Sequence, residues 1–580
     1  MDHHENGRFD EAQRAYGEIL RRAPGHPGAL HLLGVLLTQR KRHGDALKLI
    51  DRAISLEPDV ADAHNNRARV LMDLGRPDEA LAALDRAVAL MPDHAEAHCN
   101  RGAVLSGLGR HGEALASFDR AIALAPDQPE SHLGRGKVLL ALGRPKDALA
   151  SFDRAIACVP GDARALHGRG AALAALARHD EALAELDRSI ALAPETAQAH
   201  FDRGNVLKAL GRMEAALAGF ERAIALKPDY AEACYNRGNV LLALDRSDDA
   251  LKSFDRAMDL APRHVSRHHN LALCRLLVGD FAAGWRNYER RWRDEQSELH
   301  LGAFGKPLWL GEEPLAGKTI LLHSEQGLGD TLQFCRYAAM VRGLGARVIL
   351  QVPEALMGLL STLDGVDHLV SRRAKGLDFD CHCPLMSLPL AFTTSIETIP
   401  APHGYIACDR DLRRAWRARL GPRTRPRVGI AWQGNPRHKA DPERSIPLAV
   451  MRSIMVPDIE WFSLHRDLPD RDAPLAAASR DLHHFGDELD FDQTAALIDN
   501  LDLVITVDTA IAHLAGAMGK PVWILLSAVP DWRWLIARED SPWYPSARLI
   551  RQEAVGEWAP VLQKVFLDLQ SLVSDKPLER

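Results

Sequence analysis

Residues 324–331 (SEQGLGDT) combine two glycines, a carboxylate and the predicted start of a helix. Gly327 and Gly329 allow the backbone to approach a ligand, and the first turn of a helix offers free N–H groups. The segment has neither the third glycine of a dinucleotide fingerprint nor the Lys-Ser/Thr pair of a P-loop. It therefore predicts a ligand-binding turn, and an ordinary helix N-cap is the structural alternative.

Residues 507–521 (VDTAIAHLAGAMGKP) predict a second strand, turn and helix. A helix that begins near Thr509 presents backbone donors and a partial positive charge, which suit a phosphate or diphosphate. Asp508 precedes this turn, and His513 lies four residues after Thr509 on the same helical face. The alternative for His513 is a histidine packed against the rest of the fold.

A third segment, residues 429–435 (GIAWQGN), places Gly434 after a predicted strand and is followed by Arg437, Lys439 and Arg444. Four aromatic residues stack on a sugar or base in one interpretation and form a hydrophobic patch between lobes in the other. They are Trp532, Trp534, Trp543 and Tyr544.

Short apolar runs that alternate with helical stretches surround these segments and predict a parallel α/β architecture. The predicted strands cover residues 319–323, 347–351, 368–370, 378–382, 427–432, 460–464, 503–507, 522–526 and 548–550. The charged, proline-containing stretch 409–426 is predicted to link two Rossmann-like lobes, residues 297–411 and 424–580. Ligands bind beyond the carboxyl ends of such strands, so the predicted site is the cleft between the lobes.

Together the three segments resemble the bacterial heptosyltransferase-like glycosyltransferases, and the resemblance covers residues 318–569. It implies a GT-B fold and transfer with inversion of anomeric configuration, with a nucleotide sugar as co-substrate, no metal and no other cofactor. The general base of that family matches Asp330, on the acceptor side in the first lobe, and the cation beside the leaving group matches Arg444 best. The donor-binding residues that the resemblance implies are Asp508, Thr509, His513, Arg444, Lys439 and Gly434.

Prolines recur every 34 residues in the first half of the chain, from Pro24 to Pro262, and glycines and alanines keep the same step. Small residues let two helices cross closely, and proline stops the second helix of each pair. The pattern resembles the tetratricopeptide repeat family, whose helical pairs stack into an α superhelix. It predicts such a domain over residues 1–296, with a partial repeat at 11–22 and a degenerate last repeat at 263–292 that docks on the α/β part.

Asparagines lie eight residues after the proline in several repeats, namely Asn66, Asn100, Asn236 and Asn270. A side-chain amide offers a donor and an acceptor, so this series could bind the backbone of an extended acceptor protein. The nucleocytoplasmic protein O-glycosyltransferase of animals is similar in having such a series. Gly134 and Gly168 interrupt it here, and a tolerated polar residue on a solvated face is the alternative. A parallel series of arginines, from Arg67 to Arg237, predicts salt bridges between helices.

Composition and charge argue against several classes of function. The 72 basic and 78 acidic side chains give a net charge of −6, which favours no nucleic acid partner. The 8 cysteines lack the spacing of a disulfide framework or a zinc site, and the Cys381-His382-Cys383 run has no second cluster. The sequence has no apolar run long enough to span a bilayer and no apolar segment typical of a secretory signal, so the predicted location is the cytoplasm.

The predicted function follows from the combination of repeats and α/β module. The repeats recruit a protein acceptor, and the module transfers a sugar from a nucleotide-sugar donor to its Ser or Thr hydroxyls. The combination also resembles the flagellin glycosyltransferases of some alphaproteobacteria, which implies flagellin as the acceptor and a nonulosonic-acid donor. Two alternatives stay open: a lipopolysaccharide or capsule glycosyltransferase with repeats as an assembly scaffold, and a non-catalytic repeat scaffold protein.

Overall fold

The computed structural model describes residues 6, 8–262, 265–293, 304–434, 444–528, 530–536, 538–553 and 556–574. The chain divides into two compact units, residues 1–233 and 234–580. The first unit consists of helical repeats. The second contains the last repeats and two parallel β-sheets. The predicted architecture, helical repeats followed by Rossmann-like α/β lobes, is confirmed.

The repeats of the first unit pair a helix of 13 residues with a helix of 14 residues. The proline of each repeat lies just after the longer helix, where its missing N–H and fixed φ prevent continuation. The helices are α1 (Phe9–Arg22), α2 (Pro27–Gln39), α3 (His43–Leu56), α4 (Ala61–Asp73), α5 (Pro77–Leu90), α6 (Ala95–Gly107), α7 (His111–Leu124), α8 (Pro129–Ala141), α9 (Pro145–Cys158), α10 (Ala163–Ala175), α11 (His179–Leu192), α12 (Ala197–Ala209) and α13 (Met213–Leu226). Helix α14 (Ala231–Ala243) crosses the boundary between the units.

Glycines in the first helix of a repeat face the large side chain of the second. A Cβ atom at Gly102 would lie 2.9 Å from the Phe118 ring. The same ring also faces the next repeat, where a Cβ at Gly134 would lie only 2.4 Å away; Gly168 and Phe152 repeat this geometry at 2.4 Å. At these two interruptions of the asparagine series, a phenylalanine of the preceding repeat thus leaves no room for a side chain in the present packing.

Ion pairs between arginine and aspartate join successive repeats. The Nε atom of Arg67 lies 2.7 Å from Oδ1 of Asp51, and Arg101 lies at the same distance from Asp85. The further pairs of the series are Arg135–Asp119, Arg169–Asp153 and Arg203–Asp187. Each arginine reaches the second helix of the preceding repeat, so the predicted salt bridges form and connect one repeat to the next.

The last repeats belong to the second unit, as α15 (Ser247–Leu260), α16 (Val265–Leu277) and α17 (Phe281–Tyr288), followed by a 3₁₀-helix at Glu289–Arg293. The Trp285 ring lies 6.4 Å from Phe334 and 5.2 Å from Trp532, between ring centroids. Phe281 stacks on Trp543. The predicted docking of the last repeat on the α/β part is thus confirmed.

The first sheet consists of β1 (Thr319–His323), β2 (Arg347–Val352), β3 (His368–Ser371) and β4 (Cys381–Pro384), all parallel, in the order β3-β2-β1-β4. Helices α18 (Leu328–Phe334) and α19 (Ala338–Gly343) connect β1 to β2, and α20 (Leu388–Ala391) follows β4. The central strand β1 is buried along most of its length, because a parallel sheet is covered on both faces. The turn that carries Asp330 follows directly after the carboxyl end of β1.

The stretch predicted to link the two lobes contains a helix, α21 (Arg410–Leu420), which the sequence analysis did not predict. Asp409 caps the helix by accepting hydrogen bonds from the N–H groups of Asp411 and Leu412, and Gly421 ends it with a positive φ. Trp416 anchors it by donating to Gln493 at 2.8 Å. The predicted boundaries at 296, 297, 411 and 424 remain predictions, and the compact units divide at 233 instead.

The second sheet is also parallel, in the order β10-β9-β8-β5-β6-β7. Its elements are β5 (Arg427–Ala431), α22 (Leu448–Met451), β6 (Glu460–Ser463), α23 (Ala473–Ala478), β7 (Leu482–His483), α24 (Phe491–Asp499), β8 (Leu503–Val507), α25 (Ala510–Ala517), β9 (Val522–Leu526), β10 (Ala547–Arg551) and α26 (Trp558–Ser574). A strand forms at each predicted position, but the one predicted at 378–382 begins three residues later, at Cys381. Strand β7 escapes prediction because two residues are too few to show a periodicity.

Candidate active site

The two sheets bring the three glycine-containing segments to one cleft. The cleft has a volume of about 990 Å³ and lies beyond the carboxyl ends of β1, β5 and β8. Its border includes Asp330, Gly434, Arg444, Asp508, Thr509 and His513. The structure therefore places together every predicted site residue of the α/β part except Lys439, which lies outside the described residues. That these residues bind donor and acceptor stays a prediction.

Asp330 is the third residue of α18, and both of its carboxylate oxygens have partners. Oδ2 accepts a hydrogen bond of 2.8 Å from the N–H of Gly327, the N-cap residue of the helix. Oδ1 forms an ion pair with Arg533. The helix-cap alternative is thus realised, but it leaves Asp330 at the cleft with 20% of its side chain exposed. Each carboxylate oxygen has two lone pairs, so these bonds still leave room for a proton.

Arg533 is a residue of this cleft that sequence analysis missed. It lies in a 3₁₀-helix at Trp532–Trp534 and is almost completely buried. Besides Asp330, it donates to Asp531 and to Gln333, each at 2.8 Å, and its guanidinium lies 4.3 Å from the centre of the Trp532 ring. The only sequence signal was an arginine between two tryptophans, a pattern that also fits a buried packing residue.

The charge of Arg533 is stabilised by its carboxylate neighbours. Burial disfavours the charged form, but Asp531 and Asp330 outweigh this cost and raise the pKa of Arg533 above its usual range. Because Gln333 and Asp330 belong to the first lobe and Asp531 to the second, the guanidinium fixes the two lobes to each other beside the candidate base. It also borders the cleft, as Arg444 and Arg466 do.

The helix of the second motif, α25, begins where the sequence predicted. Thr509 is its N-cap, and the Thr509 hydroxyl accepts a hydrogen bond of 3.2 Å from the N–H of Ile511. Gly516 allows the helix to lie close to Tyr544, since a Cβ there would be 2.5 Å from that ring. The first turn of α25 thus opens onto the cleft with its positive end, as a phosphate site requires.

His513 is more a packing residue than an open ligand-binding side chain. Its Nδ1 lies 2.9 Å from the hydroxyl of Tyr544, its ring stacks on Trp534, and it is 5% exposed. Burial, aided by Arg533 and Arg336, lowers its pKa well below the ordinary value, so the imidazole is neutral. The side chain also sets the spacing of α18 and α25, because a Cβ at Gly329 would lie 2.7 Å from its Cδ2.

Asp508 follows β8 directly and lies half-buried at the floor of the cleft. Burial raises its pKa to about 6, and the nearby carboxylate of Asp531 adds to the rise, while Arg444 and Arg533 oppose it. Two aspartates and two arginines thus lie close together where the predicted phosphate would bind. An Asp508 that carries a proton accommodates a phosphate more easily than an ionised one, since like charges repel.

Gly434 is held beside the cleft by Ser445. Its N–H donates to the hydroxyl of Ser445 at 3.2 Å, and the preceding Trp432 donates through its N–H to His465 at 3.0 Å and through Nε1 to Asp472 at 3.0 Å. Arg444 therefore lies beside Gly434 through its neighbour Ser445. This arrangement agrees with a cation placed near a leaving phosphate.

The four aromatic residues near the C-terminus are packed inside the protein. Trp532, Trp534, Trp543 and Tyr544 are each at most 4% exposed. They belong to the same hydrophobic core as Phe334 of the first lobe and Trp285 of the last repeat. The hydrophobic-patch alternative is thus the one that the structure supports.

The Cys381-His382-Cys383 run forms β4, and its side chains are buried on both faces of the sheet. His382 Nδ1 lies 3.2 Å from His323 Nε2, and burial, with His382 adding to it, lowers the pKa of His323 to about 3. Among the residues that the structure describes, no three His, Cys, Asp or Glu side chains form a group that could hold a metal ion. Within the same residues, no helix has the length and apolar character needed to cross a membrane.

The asparagine series makes hydrogen bonds to neighbouring repeats. Asn100 Nδ2 donates to Oδ1 of Asn65, and Asn270 Nδ2 donates to Oδ1 of Asn239, each at 2.9 Å. Asn66 Nδ2 lies 2.9 Å from the His31 ring. Asn236 has a partner as well. The NH2 groups of three of these amides therefore each have a partner within the protein, and peptide binding by the series stays a prediction.

Comparisons with known protein families agree with both parts of the chain. Models of the tetratricopeptide repeat match residues 2–63, 59–127, 99–163, 133–198, 204–245 and 231–264. The model of glycosyltransferase family 9 (heptosyltransferase) matches residues 482–552, which contain Asp508, Thr509, His513 and Arg533. The chain therefore combines tetratricopeptide repeats with a heptosyltransferase-like glycosyltransferase domain.

A curated relative is Protein FlbA of Caulobacter vibrioides, which is 26% identical over 329 residues. The alignment covers 52% of this chain and 54% of that protein, so the chain spans about half the length of its relative.

Solved structures resemble the chain more distantly. The Cut9–Hcn1 hetero-tetramer of the APC/C has a TM-score of 0.40 and 15% identity, over 46% of this chain and 52% of that one. A tetratricopeptide repeat protein from Parabacteroides merdae has a TM-score of 0.36 and 18% identity, over 45% of this chain and 99% of that one. Likeness at this level carries no information about function.

Proposed function

We propose that this chain, which joins tetratricopeptide repeats to a glycosyltransferase family 9 domain, is an inverting, metal-independent GT-B glycosyltransferase of the cytoplasm. It transfers a sugar from a nucleotide sugar to Ser or Thr hydroxyls of an acceptor protein that the repeats recruit, with flagellin as the candidate acceptor. The observation that carries the proposal is the cleft itself: a carboxylate from the first lobe faces a helix N-terminus and two guanidinium groups from the second.

The proposed reaction is a single displacement at the anomeric carbon. The acceptor hydroxyl oxygen attacks from the face opposite the nucleotide, and a new carbon–oxygen bond forms as the bond from the anomeric carbon to the phosphate oxygen breaks. Asp330 takes the proton of the hydroxyl, and the nucleotide leaves with the bonding electron pair. One displacement inverts the anomeric configuration.

The second lobe supplies the electrostatic part of this reaction. Negative charge accumulates on the departing phosphate, and Arg444 and Arg533 both border the cleft where that charge would develop. The N-terminus of α25 adds backbone donors. Preorganised cations of this kind are worth far more in a cleft than in bulk water, which is the support for a mechanism without a metal ion.

The test of the catalytic part uses the full chain and a panel of UDP-, GDP-, ADP- and CMP-linked sugars. Release of the free nucleotide in the absence of an acceptor, followed by chromatography, identifies a donor. We expect turnover of at least one nucleotide sugar, and we expect Asp330→Asn to abolish it. Binding of all the donors without any turnover would favour the non-catalytic scaffold instead.

The test of the acceptor uses the Asp330→Asn chain as bait, because it should hold acceptor without modifying it. Proteins that it retains from a bacterial lysate, and purified flagellin in parallel, are then incubated with the wild-type chain and the donor. Mass spectrometry of intact proteins and their peptides locates any added sugar. A sugar on Ser or Thr supports the protein-acceptor proposal.

A lipopolysaccharide or capsule glycosyltransferase is the second candidate function, and one observation favours it. The amides of Asn66, Asn100 and Asn270 already bond to adjacent repeats, which suits a scaffold better than a peptide-binding surface. Changing the four asparagines of the series to alanine distinguishes the two. Loss of protein modification, with donor hydrolysis preserved, supports acceptor binding by the repeats. Unchanged modification of a protein makes the series structural, whereas transfer by the wild-type chain to a glycan or lipid-linked acceptor, with no protein modified, favours glycan synthesis.

A further inference from the structure

The last repeat reaches into the first lobe through a buried arginine. Arg291 lies in the 3₁₀-helix at Glu289–Arg293, and its side chain is 8% exposed. Its Nε and Nη2 atoms donate to the two carboxylate oxygens of Glu325, each at 2.8 Å. Glu325 is 1% exposed and follows β1 by two residues. The pair is thus a two-point link between the last repeat and the turn that carries Asp330.

Other polar groups complete this link on both sides. Nη2 of Arg291 also donates to the hydroxyl of Ser387 at 2.8 Å, and that hydroxyl donates to Oε2 of Glu289 at 2.8 Å. The N–H of Met386 donates to Oε1 of Glu325 at 3.2 Å. A buried ion pair stabilises its surroundings only when its remaining hydrogen-bonding groups are satisfied, and here several of them are.

A second contact links the same repeat to the next residue of the turn. Gln326 Nε2 donates to the hydroxyl of Tyr288 at 2.7 Å, and the guanidinium of Arg291 lies 4.5 Å from the centre of the Tyr288 ring. Two consecutive residues, Glu325 and Gln326, are therefore held by the last repeat. Gly327 follows directly, and its N–H bonds to Asp330.

Glu325 itself has no access to a substrate. It is held by Arg291 on both oxygens, and it does not border the cleft, whereas Gln326, Gly327 and Asp330 do. Of the two acidic residues in this segment, Glu325 serves the structure and Asp330 faces the cleft. Only four residues separate them along the turn, so the position of Asp330 depends on that of Glu325.

We infer that Arg291 is a positioning residue, which holds the turn 325–330 through Glu325. The last repeat, residues 265–293, therefore determines the position of Asp330 in the active site. The inference deepens the proposed function and rests on it for the role of Asp330. The general base must lie within hydrogen-bond reach of the acceptor hydroxyl, and a turn that relaxes by an ångström removes it from that position.

The test compares three variants of the full chain. Arg291→Lys keeps the charge but loses the two-point geometry, because an ammonium group cannot donate to both oxygens as a planar guanidinium does. Arg290→Lys is the matched control, since Arg290 belongs to the same 3₁₀-helix and its guanidinium contacts His268 of its own repeat instead. The double variant Arg291→Met with Glu325→Gln removes both charges, so no unpaired charge remains buried.

We expect Arg291→Lys to lower kcat for nucleotide-sugar hydrolysis by about 100-fold, the cost of a misplacement of roughly 1 Å. KM for the donor should stay unchanged, since the predicted donor contacts lie in the second lobe. Arg290→Lys should retain wild-type kinetics. The double variant should regain the melting temperature of the wild type but not its kcat. If kcat returns together with the melting temperature, the pair is merely structural and the inference is wrong.

A readout without turnover separates this inference from the proposed function. Hydrogen exchange of the peptide that contains Gly327 should be faster in Arg291→Lys and in the double variant than in Arg290→Lys, because the N–H of Gly327 loses its fixed partner. Unchanged exchange overturns the inference even where the enzyme is active. A wild-type chain that hydrolyses no nucleotide sugar overturns the proposed function, whereas the exchange result still decides whether Arg291 holds the turn.

Discussion

Replacement of Asp330 by asparagine is the most direct perturbation of the proposed mechanism. The amide keeps the size of the side chain and can still accept a hydrogen bond from Arg533, but it cannot accept a proton at neutral pH. Only one of its two polar atoms is an acceptor, so it must give up either the bond from the N–H of Gly327 or the contact with Arg533. The substitution therefore costs one hydrogen bond as well as the base.

The two costs have different sizes. One lost hydrogen bond lowers the free energy of unfolding by about 0.5–1.5 kcal/mol. Loss of a general base slows a reaction by about 100- to 10,000-fold, which corresponds to roughly 3–5 kcal/mol in the barrier. A small fall in stability with a large fall in rate is thus the expected signature.

The assay measures kcat and KM for release of the nucleotide, with thermal unfolding of the same samples. Asp409→Asn is the matched control, because Asp409 is the N-cap of α21, does not border the cleft and accepts bonds of 2.8 and 2.9 Å from the N–H groups of Asp411 and Leu412. It undergoes the same chemical change at a helix start without a proposed role in catalysis. Full activity of the Asp330→Asn chain, or an equal loss in both variants, would refute the assignment of Asp330 as the base.

Asp508→Asn should raise the melting temperature at about pH 7.5 and have little effect near pH 4, as differential scanning calorimetry can show. Burial and the neighbouring Asp531 raise the pKa of Asp508 in the folded chain to about 6, from 3.8 in the unfolded chain. The folded state therefore loses stability as the pH rises from the unfolded-state pKa to the folded-state pKa, and the neutral amide avoids this loss. A lower melting temperature at both pH values would contradict this. Gly134→Ala should lower the melting temperature, since its Cβ would lie 2.4 Å from the Phe118 ring. Gly17→Ala, which has open space around it, should not lower the melting temperature, because alanine stabilises a helix by about 0.5–1 kcal/mol relative to glycine. Hydrolysis of the nucleotide sugar should continue in EDTA, and a clear requirement for a divalent ion would contradict the metal-independent mechanism.

Local patterns in the sequence were sufficient for most of the fold. The 34-residue step of proline, glycine and alanine predicts the repeats, because each repeat contacts only its neighbours and so carries the same signals. Apolar runs bounded by glycine and charge predict the strands of both sheets. The helix at Arg410–Leu420 was missed although Asp409 and Gly421 are good cap residues, because its high charge and flanking prolines favoured a linker.

The three chemical segments were also predictable, since a phosphate site needs glycine and a helix start within a few consecutive residues. Their meeting at one cleft followed from the rule that ligands bind at the carboxyl ends of parallel strands. The sequence alone thus predicts Asp330, Asp508 and Arg444 at one site.

Only the tertiary structure could decide which side chains hold these residues. Arg533 lies 203 positions from its partner Asp330, and Arg291 lies 34 positions from Glu325, so no local pattern links them. The tertiary structure likewise assigns the asparagine amides to contacts between repeats. The physical reason is the range of the forces involved: periodicity and helix capping act over a few residues, whereas burial brings distant charges together and makes each one require a specific partner.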